Sequence, residues 1–246
     1  MHNTFIVEYF HWKRPKSLVV EYGNKVLGRL GLPLRLTTPE PPIMGSVESR
    51  MNIFHFANEV IAHDVPGDFV EVGCNAGFSS AILQKVLRDQ RSDRKLYCFD
   101  SFEGLPSALD SKDGSAYEPG EMTASRQGFE NNLRSVGLDL PVIHQGWFED
   151  TLPKGLPGQI SFALIDGDLY KSTMTALQNV YPRLSKGAVC MFGVYWDDKV
   201  YRPPTRSIKY QSPGVKAATD EFFADKPEKV SVLYSGEYSN GYFYKL

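Results

Sequence analysis

The sequence predicts an α/β protein built on a doubly wound, mostly parallel sheet that ends in an antiparallel hairpin. Three observations carry this reading. Short apolar runs alternate five times with stretches of helical periodicity, the signature of repeated βα units. The first run, residues 69–72, passes through a turn with Gly73 and Gly77 into a helical run opened by Ser79 and Ser80. Near the C-terminus two β-rich runs, 230–234 and 242–244, enclose Ser239-Asn240-Gly241, a strong hairpin signal.

Composition bounds the rest. The 246 residues suffice for one α/β domain and an extension. With 27 basic and 29 acidic residues the formal charge is −2. That gives no electrostatic footprint for nucleic acid or an anionic membrane and points to a small-molecule partner. No leader with a cleavage site and no run of about 18 apolar residues is present, so a soluble, cytoplasmic protein is expected. Cys74, Cys98 and Cys190 are odd in number and lack CxxC spacing, so they read as buried reduced thiols. The five histidines form no HExxH, which removes a zinc hydrolase.

Residues 1–42 are rich in aromatics and end in the proline-rich TTPEPP; they read as an N-terminal arm ahead of a single domain, 43–246. Phe5, Phe10 and Trp12 need covering, by their own domain or a second subunit, so a homo-oligomer formed through the arm is expected. From Ser46, the residues Met51, Phe54, Ala57, Val60 and Ile61 recur at helical steps until Val65-Pro66-Gly67 stops them. After the glycine turn a helix carries Ile82, Leu83 and Val86, and residues 95–99 form the second strand, ending at Asp100. Polar, unpatterned sequence from 107 to 128 reads as a lid. A helix over 129–136, a strand over 141–144 and Gly146-Trp147-Phe148 follow, the aromatics placed to wall an adenine or to pack in the core. Residues 160–165 are a near-continuous apolar run, a strand buried on both faces that delivers Asp166-Gly167-Asp168 to the same edge. A helix over 170–184, a strand over 188–192, a second lid over 195–213 and a helix over 214–223 lead to the hairpin.

A strand that turns on glycine into a helix sets backbone N–H groups and the positive helix end beside a ligand. The ligand class follows from the glycines that are missing. A dinucleotide fingerprint from Gly73 would need glycine at Asn75 and Phe78, and no Gly-Lys-Ser/Thr of a Walker loop follows. A nucleoside without phosphates remains, of which S-adenosylmethionine is the common one. Asp100 falls where the acidic residue closing such a unit takes the ribose hydroxyls, its other reading being a turn or cap. Glu71, inside a strand, needs a donor or a cation, and a ligand ammonium would serve.

Beyond the fold, Asp100-Ser101-Phe102-Glu103-Gly104-Leu105-Pro106, Gly146-Trp147-Phe148 with Thr151-Leu152-Pro153, Asp166-Gly167-Asp168-Leu169-Tyr170, and Tyr181-Pro182-Arg183-Leu184 occur in order. By these motifs, over about 44–223, the chain resembles the macrocin O-methyltransferase family, whose members modify deoxysugars on natural products. The resemblance implies a class I methyltransferase fold and S-adenosylmethionine as cofactor. It implies a cofactor site of Met44, Glu71, Gly73, Asn75, Ser79, Asp100, Ser101, Gly146, Trp147 and Asp166. It also implies magnesium held by Asp166 and an Asp-Asp pair ending the fifth strand. There the chain departs, since Gly193-Val194 occupies the pair's positions and only Asp197-Asp198, four residues on, offers a substitute. The expectation is that no metal is bound, with Asp166, Asp197 and Asp198 the ligand set if one is.

The expected activity is transfer of a methyl group to a hydroxyl of a small-molecule acceptor, a sugar moiety of a natural product. Asp166 and Asp168 are the base candidates, each otherwise an N-cap of the helix that follows. Tyr170, Tyr195 and Trp196 would face the acceptor. An N-methyl or phenolic O-methyl transfer, and a degenerate fold that binds cofactor as a structural or regulatory partner, stand as alternatives.

Overall fold

The structure, a computed structural model, describes residues 18–32, 34, 36, 45–107, 109–114, 117–197, 199–200, 212–236 and 238–246. The chain divides into two units, Met1–Met44 and Gly45–Leu246. In the first, α1 (Leu18–Arg29) is an amphipathic helix within the stretch that sequence patterning reads as an arm. Val19, Tyr22 and Val26 recur along it at helical steps, a pattern that Gly23 and Gly28 obscure in the sequence.

The second unit opens with α2 (Val47–Ala62), capped by the Ser46 hydroxyl on the Ser49 N–H at 3.0 Å. Then come β1 (Asp68–Val72), α3 (Phe78–Asp89), β2 (Leu96–Asp100), a 3-10 turn at Ser111–Asp113, α4 (Arg126–Ser135), β3 (Val142–Gln145) and α5 (Phe148–Gly155). They are followed by β4 (Ile160–Ile165), α6 (Tyr170–Val180), a 3-10 turn at Tyr181–Arg183, β5 (Leu184–Phe192), α7 (Pro213–Phe222), β6 (Ser231–Ser235) and β7 (Tyr238–Tyr244). The sheet order is β3-β2-β1-β4-β5-β7-β6, parallel from β3 to β5, with β7 antiparallel to both β5 and β6. The expected doubly wound sheet is therefore present. β4 is buried at every residue because α2 lies against it and α6 packs against it as well. Cys74, Cys98 and Cys190 are buried free thiols.

Two elements differ from the sequence reading. The hairpin turns at Gly236, and Ser239-Asn240-Gly241 lie inside β7. Those small residues are needed there because the Asn240 amide donates to the Gly193 carbonyl at 2.6 Å, and a Cβ on Gly241 would fall 2.7 Å from the Tyr195 ring. The second is α5, a helix where only an aromatic turn was expected; Pro153 inside it masks the pattern, and Leu152 is its buried anchor. Of the two expected lids, the first lies mostly within the described residues, and 201–211 of the second lie outside them.

The strand order reverses between β1 and β4, which opens a crevice beyond their C-terminal ends. Pairing runs one residue past each strand there: Gly73 N–H to Phe99 O at 2.8 Å, Asp166 N–H to Val72 O at 2.8 Å, and Gly193 N–H to Ile165 O at 2.9 Å. Gly73, Asp166 and Gly193 thus stand in one row at the sheet edge.

Candidate active site

The loop from β1 to α3 is built around left-handed backbone at Gly73, Asn75 and Gly77. At Gly77 a Cβ would press on Leu133 at 2.7 Å and Phe129 at 2.9 Å, so glycine lets α3 start close against α4. Asn75 organises the loop in three directions. Its Oδ1 accepts from Ala76 N–H at 2.7 Å, its Nδ2 donates to the Met122 carbonyl at 2.5 Å, and its backbone N–H donates to Asp100 Oδ2 at 2.7 Å. The other Asp100 oxygen accepts from Phe102 N–H at 2.7 Å. Two backbone donors therefore fix this carboxylate, and its remaining lone pairs are free to accept from a ligand diol.

Glu71 is fully buried, and the Ser79 and Ser80 hydroxyls donate to its two oxygens, with the Cys98 thiol 3.5 Å away. The need that the sequence reading gave to a ligand ammonium is met here by the protein's own donors. Burial outweighs them and lifts the Glu71 carboxyl to about 7. Ser101 closes a local turn, accepting from Glu103 N–H at 3.1 Å. Gly146 donates its N–H to the Asp100 carbonyl at 2.9 Å and hands the chain to Trp147, the half-buried cap of α5.

Asp166 is flanked by glycine on both sides of the sheet. A Cβ on Gly73 would lie 2.2 Å from the Asp166 carbonyl oxygen, and one on Gly193 would lie 2.0 Å from Asp166 Oδ1. The Asp166 carboxyl therefore occupies the space a side chain at 193 would use. Burial, and then the Asp100 charge, raise it to about 6. Asp168 has left-handed backbone, φ 57°, and burial followed by the Asp166 charge pushes its carboxyl well above the usual range. The causes that act on both acids are burial and other acids, opposed at Asp168 by a hydrogen bond from Tyr117. An edge of this kind favours a cationic ligand.

Neither aspartate caps α6. That cap is Asp113, absent from the sequence reading, whose Oδ1 accepts from Tyr170 N–H at 2.6 Å. The Tyr170 ring lies under Lys112, 3.7 Å from its centroid, and its hydroxyl donates to Glu221 at 2.8 Å. Tyr195, expected to face the acceptor, is 4% exposed and packs on Phe192 and against Gly241. Trp196 is half-buried. Asp197 accepts from Lys199 N–H at 2.9 Å and pairs with Lys216 at 3.5 Å. Met44 and Asp198 lie outside the described residues. Among the described residues no group of three His, Cys, Asp or Glu is arranged to hold a metal ion.

The family described as Macrocin-O-methyltransferase (TylF) matches residues 41–210. The chain is 35% identical over 153 residues to 8-demethyl-8-(2,3-dimethoxy-alpha-L-rhamnosyl)-tetracenomycin-C 4'-O-methyltransferase of Streptomyces olivaceus, covering 58% of this chain and 59% of that one. It is 33% identical over 165 residues to demethyldecarbamoylnovobiocin O-methyltransferase of Streptomyces niveus, covering 63% of this chain and 61% of that one. The match spans about 60% of the length of these curated relatives. Among solved structures it is similar to the O-methyltransferase NovP, with a TM-score of 0.65, 27% identity, and coverage of 81% of this chain and 80% of that one.

Proposed function

We propose, from the premise that the chain belongs to the macrocin-O-methyltransferase (TylF) family, that it is a methyltransferase that uses S-adenosylmethionine to methylate a hydroxyl of a small molecule, a sugar moiety of a natural product. The carrying observation is the crevice at the β1–β4 switch point, where Asp100 is held by two backbone donors beside Asp166 and Asp168. The residues fit the cofactor. Asp100 keeps acceptor capacity for a ribose diol, α3 turns its positive end to the crevice, and the acidic edge complements a ligand carrying a sulfonium and an ammonium. Gly73, Asn75, Ser79, Ser101, Gly146 and Trp147 would shape the walls, with Glu71 ordering the serines behind them. Met44 belongs to the same proposal.

When bound, S-adenosylmethionine supplies an activated methyl carbon, so no covalent enzyme intermediate is needed. The protein orients the acceptor hydroxyl in line with that carbon and removes its proton. Asp166 or Asp168 would take the proton of the acceptor hydroxyl; burial and neighbouring acids raise both carboxyls, Asp166 to about 6, which suits that one to a base working near neutrality. The tetracenomycin relative's name specifies a rhamnosyl-bearing compound, which supports a glycosylated acceptor.

Magnesium, implied by the resemblance, does not fit the residues present. Gly193 and Val194 have no side-chain oxygen, the Gly193 carbonyl accepts from the Asn240 amide, the space beside Gly193 is taken by the Asp166 carboxyl, and Asp197 is engaged by Lys199 and Lys216. Turnover that survives exhaustive chelation supports this part of the proposal; loss on chelation with recovery on adding magnesium overturns it. The exposed Val19 and Tyr22 of α1 and Leu30 just after it support a subunit contact through the N-terminal segment, tested by sizing a chain that lacks residues 1–40. A cytoplasmic place of work belongs to the same proposal; among the described residues no helix is long and apolar enough to cross a membrane. The central test incubates the protein with labelled S-adenosylmethionine and a panel of glycosides, phenols and amines. Label transferred to sugar oxygen supports the reading, and label found only on phenols or amines redirects it.

A further inference from the structure

We propose that Tyr117 is a positioning residue: through a hydroxyl chain with Ser212 it fixes one oxygen of the Asp168 carboxylate and leaves the other for the acceptor hydroxyl. The inference rests on the reading of this edge as a methyl-transfer site. Tyr117 comes from the loop after β2, Ser212 from the residue before α7, and Asp168 from the turn after β4. Both hydroxyl residues are buried, Tyr117 at 5% and Ser212 at 0% exposure. The Tyr117 hydroxyl lies 3.3 Å from Asp168 Oδ1 and 2.5 Å from Ser212 Oγ.

Proton counting sets the direction of this chain. In its role as base Asp168 has no proton to give, so Tyr117 donates to Asp168, and Ser212 then donates to the Tyr117 oxygen. Burial and the Asp168 charge push the Tyr117 phenol up, which keeps it a donor throughout the physiological range. Asp168 needs such a hold because its backbone is left-handed, a state that residues with a Cβ keep only when their surroundings impose it. A tight turn, Leu169 N–H to Gly167 O at 2.6 Å, fixes the main chain, and Tyr117 fixes the side chain.

The same three stretches meet again a few residues away. Asp113 of the loop after β2 caps Tyr170 N–H at 2.6 Å, and Gly214 of α7 closes over that bond so tightly that a Cβ there would fall 1.9 Å from Asp113 Oδ1. Asp113 and Gly214 thus hold the three stretches together, while Tyr117 and Ser212 act on the carboxylate itself. This division lets the two roles be separated by experiment.

Tyr117→Phe keeps the ring and removes the hydroxyl. With labelled S-adenosylmethionine and p-nitrophenyl α-L-rhamnopyranoside plus the glycoside panel, kcat is expected to fall about 10- to 100-fold, with cofactor affinity within about twofold of the native chain. Ser212→Ala should shift kcat in the same direction, and the double variant should be no worse than the poorer single one, because both act through one chain. A kcat within twofold of native in Tyr117→Phe, or a loss confined to KM, overturns the proposal. A native chain that turns over no acceptor marks failure of the proposed function instead. Hydrogen exchange on the ligand-free protein then decides the geometry alone: Tyr117→Phe should speed exchange at Leu169, whose N–H closes the turn that carries Asp168, and leave Tyr170, held by Asp113, and α3 unchanged; unaltered protection at Leu169 overturns the hold on Asp168.

Discussion

Asp166 sits between two glycines for different reasons, and the difference yields a test. Gly73 has a positive φ, so any side chain there is strained as well as crowded. Gly193 carries no such conformation, and the nearest obstacle to a methyl group is the Asp166 carboxyl, 2.0 Å from where it would sit. Gly193→Ala should therefore displace that carboxyl with little backbone cost. A shift of about 1 Å in a reacting group costs on the order of 100-fold in rate, so kcat should drop by about that factor while cofactor affinity changes little. Unimpaired turnover would remove Asp166 from the reaction. Asp100→Ala tests the cofactor side: loss of a charge-assisted bond costs about 1.5–3 kcal/mol, so calorimetry should read at least a tenfold weaker S-adenosylmethionine complex. Equal affinity would take Asp100 out of the site. Both aspartates are legible in the sequence because each is the first polar residue after an apolar run. Tyr117 is not, because it lies in unpatterned sequence 51 residues from Asp168, and periodicity carries no information about contacts of that kind.

At the scale of elements, a helix cap borrowed from another segment is the feature that local reading misses. The residue before α6 is Leu169, which has no side-chain acceptor, so the first N–H of α6, that of Tyr170, depends on Asp113, 57 residues upstream. Its second oxygen accepts from Asp110 N–H at 2.8 Å, which orders the loop that supplies it. Asp113→Ala should cost about 1–2 kcal/mol in urea unfolding, and Asp113→Asn should recover much of it. Equal stability of all three proteins would mean that water replaces the cap. The hairpin shows the reverse error. Ser239-Asn240-Gly241 has turn chemistry, yet the strand uses those residues for their size and amide, bracing Gly193 and giving way to Tyr195. Local propensity and tertiary demand select the same residue types here, and only the partner across the sheet separates them.

Across the whole molecule, the sheet was legible because each βα unit repeats one pattern, and the crevice followed from where the strand order reverses. The balance of buried charge was not legible, since it depends on which acids meet a cation. Glu71 and Glu228 mark the two extremes. Burial lifts Glu71 to about 7, above its ordinary 4.5, so its contribution to stability is fully present below 4.5 and is lost as pH rises through about 7. Burial would also raise Glu228, but Lys245 at 2.7 Å, Tyr181 at 2.8 Å and the Leu246 N–H outweigh it and hold the carboxyl at about 2. Its contribution is present above 4.5 and is lost as pH falls through about 2. By themselves these two groups place the stability maximum of the ligand-free protein near pH 4.5, with a loss on each side on the order of 1–3 kcal/mol per group. At this size that is a fall of roughly 2–4 °C in Tm per kcal/mol. Thermal unfolding of the native chain, Glu71→Gln and Glu228→Gln between pH 2 and 8 separates the arms. Glu71→Gln should flatten the fall between 4.5 and 7 and leave the acid side intact, and Glu228→Gln should do the opposite. A neutral-side fall that persists in Glu71→Gln would assign it to other acids of the crevice, and a native curve that rises steadily to pH 7 would mean that Glu71 is ionised at no cost inside the fold.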